Sequence, residues 1–297
     1  MVSVERPSEI GTPRWSGAQK RQLPFALDTA EIDAYQKKGF LILRDVFQPD
    51  EIEVYRQEAK RIVDRAFSLS REFQLEPKYN LRFEMLADGQ PWKIDPFVSI
   101  SPLFSALTRD RRIMDRLASL YDGYEAVLFK DKLIFKPPES HGNGLHQDYN
   151  WWQGFPHSLL TVSVALDAST RENGCTELWT GHHQGFLHEP GSLDKGQIDR
   201  ENLANEERIH VELAPGDMAI FTCFTPHSAA PNKSNSARRI LFLSYNNSRD
   251  GEHYTSHYEH FRWYRTRPGH MPEAEREKYY FLQGHSIVRF GYWFCFT

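Results

Sequence analysis

Cysteine is scarce in this sequence: three in 297 residues, at Cys175, Cys223 and Cys295, none in CxxC spacing. An odd, scattered set argues against a disulfide framework and a zinc–thiolate site, and it suits a reducing cytosol. No run approaches 18 consecutive apolar residues, so no membrane-spanning helix is expected. The opening "MVSVERPSEIGTPRW" lacks the apolar stretch of a secretory signal. There is no basic tract and the formal net charge is −4, which argues against a nucleic-acid partner. What these absences leave is a cytoplasmic chain, monomer or homodimer, whose partner is a small molecule. A hydrophobic share of 40% and a charged share of 26% are ordinary for a globular protein. Aromatics at 13% are rich and point to a thick core or a pocket.

Residues 1–27 read as a flexible arm, polar and aperiodic, and 28–297 as one domain. "DTAEIDAYQKKGF" predicts a helix capped by Asp28, with Glu31 three residues on and Gly39 at its end. "FLILRDVF" follows as a buried strand. "QPDEIEVYRQEAKRIVDRAF" predicts a second helix, whose Ile52, Tyr55, Ala59, Ile62, Val63 and Ala66 make one apolar face. "SPLFSALTRDRRIMDRLASLY" reads as a third helical region, so the N-terminal part to about residue 122 is helical. From about 123 to 250 the texture is of short β-branched and aromatic runs punctuated by Gly, Pro and Asn. In "TVSVAL", small or polar residues alternate with apolar ones. The fold expected is mainly β with flanking helices, around a double-stranded β-helix (jelly roll, cupin-like) core. Residues 185–207 read as a long loop and a candidate lid. The C-terminal extension ends in the apolar "GHSIVRFGYWFCFT".

The chemistry begins at "GLHQDYNWW", residues 144–152. On a strand, His146 and Asp148 would share one face and offer a nitrogen and an oxygen ligand side by side. With 13 His and 40 acidic residues such a pair arises easily by chance, so the downstream residues decide. There, "GDMAIFTCFTPHSAAPNKSNSARRILFLSY" places His227 at a turn after one strand and two arginines before the next. Two histidines and one carboxylate on one face of a metal leave three positions open, the arrangement used in Fe(II) oxygenation. Three aromatic residues follow Asp148. If the strand continues, Trp152 shares the ligand face while Tyr149 and Trp151 point away; if the chain turns at Asn150, Trp151 swings toward the mouth. All three are candidates for the substrate wall.

"GFLILRDVFQPDEI", "KPPESHGNGLHQD", "VALDASTRENGCTELWTGHHQG" and "PGDMAIFTCFTPHSAAPNKSNSARR" occur in this order over residues 28–246. In this the chain resembles the phytanoyl-CoA dioxygenase family of Fe(II)- and 2-oxoglutarate-dependent oxygenases. The resemblance implies His146, Asp148 and His227 as iron ligands. It implies Arg238, eleven residues after His227, as the anchor of 2-oxoglutarate, with Arg239 on the opposite face. A dicarboxylate buried in a barrel needs its far end neutralised, and a planar guanidinium does this bidentately. Lys132 matches a position that lines the cosubstrate site, and Thr161 and Ser163 offer hydroxyls to the same molecule. The implied reaction consumes O2 and 2-oxoglutarate, oxidises a small molecule, and releases succinate and CO2. Halogenating relatives have a small residue where Asp148 stands, so hydroxylation or a related oxidation is expected. The chain departs from the family at "TGHHQG", where many members read Pro-Gly-Ser-His; His183 keeps the family histidine's place. Two other readings are a non-catalytic jelly-roll binding protein and a cupin metalloenzyme that needs no cosubstrate.

Overall fold

The structure, a computed structural model, describes residues 23–76, 79–188, 198–199, 203, 207–267, 272–283, 286–289 and 292–294. Most of the predicted arm and most of the 185–207 loop lie outside the described residues. The first helix, α1 (Thr29–Lys38), starts where Asp28 and Glu31 close a reciprocal capping box. It stops at Gly39, whose φ of 80° is the left-handed conformation that glycine takes without strain. β1 (Phe40–Leu43) leads into α2 (Pro49–Glu72), which buries Ile52, Tyr55, Ala59, Ile62, Ala66 and Leu69 along one face. The third helical region is two helices rather than one. α3 (Pro102–Leu107) ends, and Asp110 caps α4 (Arg111–Leu120) by accepting from Arg112 N. A hairpin, β2 (Phe83–Met85) and β3 (Pro91–Ile94), precedes them and turns at Gly89 with φ 83°.

The remaining strands are β4 (Ala126–Ile134), β5 (Asn143–His146), β6 (Leu160–Ala165), β7 (Thr176–Trp179), β8 (Arg208–Val211), β9 (Met218–Thr222), β10 (His227–Ala229) and β11 (Ile240–Asn247). They form two antiparallel sheets, β1-β9-β6-β11-β4-β3-β2 and β5-β10-β7-β8. The two faces of the large sheet do different work. Leu41, Leu43, Val162, Val164, Met218, Ile220, Leu241 and Leu243 join the helices in one large core. Ile134, Ala165, Ala219, Phe221, Ile240 and Phe242 pack instead with Leu178 and Val211 of the small sheet. Period-two alternation therefore buries β6 on both faces, apolar toward the helices and small or polar toward the barrel interior. After β11 come α5 (Tyr254–Thr266), α6 (Glu273–Arg276) and a three-stranded sheet of β12 (Tyr280–Gln283), β13 (Ser286–Arg289) and β14 (Tyr292–Phe294). No helix among the described residues is long and apolar enough to cross a membrane.

Candidate metal and cosubstrate site

β5 and β10 pair with His146 directly opposite His227, which sets the two imidazoles side by side at 4.2 Å between ring centroids. Asp148 comes to them differently from the expectation. β5 ends at His146, and Asp148 opens a single 3-10 turn over Asp148–Trp151. The carboxylate thus arrives from a turn, not from the shared face of a continued strand. The turn is held by backbone hydrogen bonds from Tyr149 N to Cys223 O and from Asn150 N to Gln147 O. Asp148 Oδ1 lies 3.9 Å from His146 Nε2 and 3.8 Å from His227 Nε2. One donor atom from each of the three residues falls within 4.8 Å of the others, so together they could hold one metal ion.

Both histidines are oriented from behind. His146 Nδ1 is 2.7 Å from Gly144 O and His227 Nδ1 is 2.9 Å from Thr225 O. A carbonyl only accepts, so Nδ1 carries the proton and the Nε2 lone pair faces Asp148. Burial pushes His146 down to about 3 and also lowers His227, so both rings stay neutral, the form that ligates. Burial opposes the charge of Asp148, but Lys132 and the nearby histidines outweigh it and hold the carboxyl below its ordinary range. Its Oδ2 is buried with no hydrogen-bond partner. Between His146 and Asp148 in sequence, Gln147 turns away from the site. It donates to Phe224 O and Gly185 O and accepts from Leu187 N, tying the ligand segment to the loop after β7.

Arg238 is 2% exposed, directly before β11. Its only side-chain hydrogen bond is a 3.3 Å contact to Ser169 Oγ; Nε has no partner, and no ion pair forms among the described residues. Burial lowers its pKa to about 10. Arg239 faces the other way and grips Asp167 with two hydrogen bonds of 2.7 and 2.9 Å. Lys132 is half-buried, with Nζ 5.1 Å from the Phe242 ring centroid. Thr161 Oγ1 bonds Ser244 Oγ at 2.9 Å and Ser163 Oγ lies 3.5 Å from Ala219 O; both residues are buried.

The aromatic residues after Asp148 separate. Trp151 stands edge-on to His146, 5.0 Å between centroids, and is half-buried. Trp152 is 3% exposed and packs against Phe129 and His257, away from the role that a continued strand would have given it. Tyr149 packs on Phe224, Phe186 and His157. Two polar residues to which the sequence reading gave no binding role stand out here. Asn150 is fully buried with both amide atoms unpartnered, and His257 is 2% exposed with both ring nitrogens unpartnered. The signal for His257 was present in "HYTSHYEHFRWYRT", residues 253–266, where His253, His257 and His260 recur at helical spacing. Glu177 and Asp217 serve structure. Glu177 accepts from Ser228 Oγ, and Asp217 accepts from Ala214 N, Asp45 N and Arg44.

A double-stranded β-helix with two histidines and one carboxylate converging in its interior defines the class of mononuclear metal oxygenases. The sequence model of the family described as phytanoyl-CoA dioxygenase (PhyH) matches residues 35–240. The chain belongs to this family of iron- and 2-oxoglutarate-dependent dioxygenases. It is 30% identical over 229 residues to a methylphosphonate hydroxylase of Gimesia maris, covering 76% of this chain and 83% of the relative. It is 32% identical over 157 residues to a 2-aminoethylphosphonate dioxygenase of an uncultured bacterium, covering 52% of this chain and 56% of the relative. Among solved structures, EctD from S. alaskensis with 2-oxoglutarate and 5-hydroxyectoine matches with a TM-score of 0.65 at 22% identity, covering 75% of this chain and 77% of that one; at that identity the likeness speaks for the fold.

Proposed function

We propose that this chain hydroxylates a small molecule in an Fe(II)- and 2-oxoglutarate-dependent reaction that releases succinate and CO2. His146, Asp148 and His227 are the metal ligands in this reading, and Arg238 is the anchor of the cosubstrate. The observation that carries it is a pair of unmet needs: a three-donor cluster with Asp148 Oδ2 unpartnered, and a buried Arg238 guanidinium with no anion among the described residues. A buried charge without a counter-charge is costly, and a dicarboxylate whose other end reaches the metal removes that cost at Arg238. The donor set of two neutral imidazoles and one carboxylate suits Fe(II). When bound there, the metal supplies the oxidative decarboxylation of 2-oxoglutarate by O2 and the oxygen transfer to a C–H bond.

The chain's own residues do the rest. Gly144 O and Thr225 O hold the two imidazoles in the ligating tautomer. Arg238 fixes the far carboxylate of the cosubstrate, with Thr161 and Ser163 offering hydroxyls along the interior face. Lys132 contributes positive charge where the cosubstrate's carboxylates meet the ligands. Trp151, against His146, shields the ligand face from water and forms substrate wall. A cupin metalloenzyme with no cosubstrate would have no use for an unpaired Arg238. The test is calorimetry under anaerobic conditions. Wild type binds one Fe(II) and then one 2-oxoglutarate; His227→Ala loses the metal far beyond the roughly 10–100-fold that removing a supporting hydrogen bond costs. Unchanged iron affinity in that variant sinks the assignment.

A further inference from the structure

We propose that Asn150 and His257 form the recognition site for an oxyanion of the substrate, a phosphonate or a carboxylate, beside the metal-ligand cluster. This rests on the functional reading above and adds what that reading lacks, the chemical class of substrate and the residues that read it.

Among the described residues, only these two side chains leave both of their polar atoms buried and unpartnered. Each such atom costs about 1–3 kcal/mol when nothing bonds it. Native structures rarely leave such atoms without a use. Both residues adjoin the turn that carries Asp148, Asn150 within it and His257 against Trp152 at its end. Asn150 lies in the same 3-10 turn as Asp148, two residues on. The His257 ring centroid lies 4.5 Å from that of Phe129 and 6.4 Å from that of Trp152.

Charge decides the class. Lys130 is matched by Asp95 at 2.7 Å, whereas Lys132 forms no ion pair among the described residues although its charge reaches Asp148, His146 and His227. In the loaded site, the divalent metal, Arg238 and Lys132 stand against Asp148 and the cosubstrate dianion. One positive charge is left over, and an anionic substrate balances it in a low-dielectric interior. A neutral imidazole and a carboxamide present N–H donors to oxyanion oxygens without adding another buried charge. Burial holds His257 in that neutral form. His257 belongs to α5, beyond the residues 35–240 that the family model matches.

The experiment is anaerobic calorimetry on the full chain loaded with Fe(II) and 2-oxoglutarate. Methylphosphonate and acetate serve as oxyanion probes and choline as the cationic counterpart. The expected result is binding of at least one oxyanion and not of choline; which one binds separates phosphonate from carboxylate recognition. His257→Phe keeps the aromatic packing and removes the polar atoms, and Asn150→Ala removes the amide. Each should weaken the oxyanion at least 10-fold and leave 2-oxoglutarate affinity within twofold. His257→Phe should melt no lower than wild type, because two unpartnered atoms are gone; His257→Gln is the second variant should the ring fit poorly. Choline binding in place of the oxyanions, no oxyanion binding to the loaded wild type, or wild-type affinity in His257→Phe overturns the proposal. Failure of 2-oxoglutarate to bind the iron-loaded chain overturns the functional reading beneath it instead.

Discussion

Arg238 and Arg239 are neighbours with opposite surroundings. One is buried without a counter-charge among the described residues, and the other grips Asp167 with two hydrogen bonds. Alternation made this legible from sequence, because adjacent residues entering a strand face opposite sides and only one of them looks into the barrel. The two should therefore fail differently. Arg238→Leu should lower 2-oxoglutarate affinity about 100-fold, the worth of roughly 3 kcal/mol of charge-assisted hydrogen bonding. It should leave thermal stability unchanged or raised, since an unpaired buried cation is removed. Arg239→Leu should do the reverse, with cosubstrate affinity kept and stability reduced by about 1–2 kcal/mol, softened because Arg56 still pairs with Asp167 at 3.1 Å. Calorimetry and urea melts on the two variants check both halves. The same outcome in both would mean that the strand register is wrong by one residue. What no sequence pattern carried is the proton on each histidine. Gly144 O and Thr225 O fix it, and both are backbone atoms that any residue would supply.

Among the elements, the turn over Asp148–Trp151 decides between the two courses that the sequence left open after Asp148. His-x-Asp reads identically whether the strand goes on or stops. What stops it is tertiary: Tyr149 N finds Cys223 O, on the segment just after β9. That one choice exchanges the roles of two tryptophans. Trp152→Ala should cost about 3–5 kcal/mol as a core truncation. Trp151→Ala should melt near wild type and yet change substrate turnover, leaving succinate formation uncoupled from product. A Trp152→Ala variant as stable as wild type would contradict the packing described. The hairpin of β2 and β3 corrects the reading of residues up to about 122 as helical, although Asp88-Gly89 offers a turn pair between its strands. α5 was harder to foresee, because what positions it is hydrogen bonding rather than an apolar stripe. Tyr254 Oη donates to Asp131 Oδ2 at 2.7 Å and Tyr258 Oη to Asp131 O at 2.9 Å. Beside them is Asp95. Burial works against its charge, but Lys130 and Lys93 outweigh this and hold its pKa down to about 2. A carboxyl depressed in the folded state contributes stability above its ordinary pKa near 4, and that stability is lost as pH falls toward 2. Urea melts from pH 5 down to 2 should show this loss, and Asp95→Asn should flatten that part of the curve. A variant with the wild-type acid profile would place the acid sensitivity elsewhere.

At the scale of the whole molecule, the helices cover one face of the large sheet and the small sheet covers the other. The reactive groups face the second, enclosed side. The texture change near residue 123 announced the strands. It did not say that β1, from the helical N-terminal part, would pair with β9, because that contact joins residues far apart in sequence. The central claim is that this enclosed side binds Fe(II) and 2-oxoglutarate and turns them over. It is tested most directly by measuring succinate and O2 uptake for the full chain supplied with Fe(II), 2-oxoglutarate and air. Iron-dependent succinate should form in step with O2 consumed, and a chelator or Asp148→Ala should abolish it. Succinate formation that persists undiminished in Asp148→Ala, or none from iron-loaded wild type, would contradict the central claim.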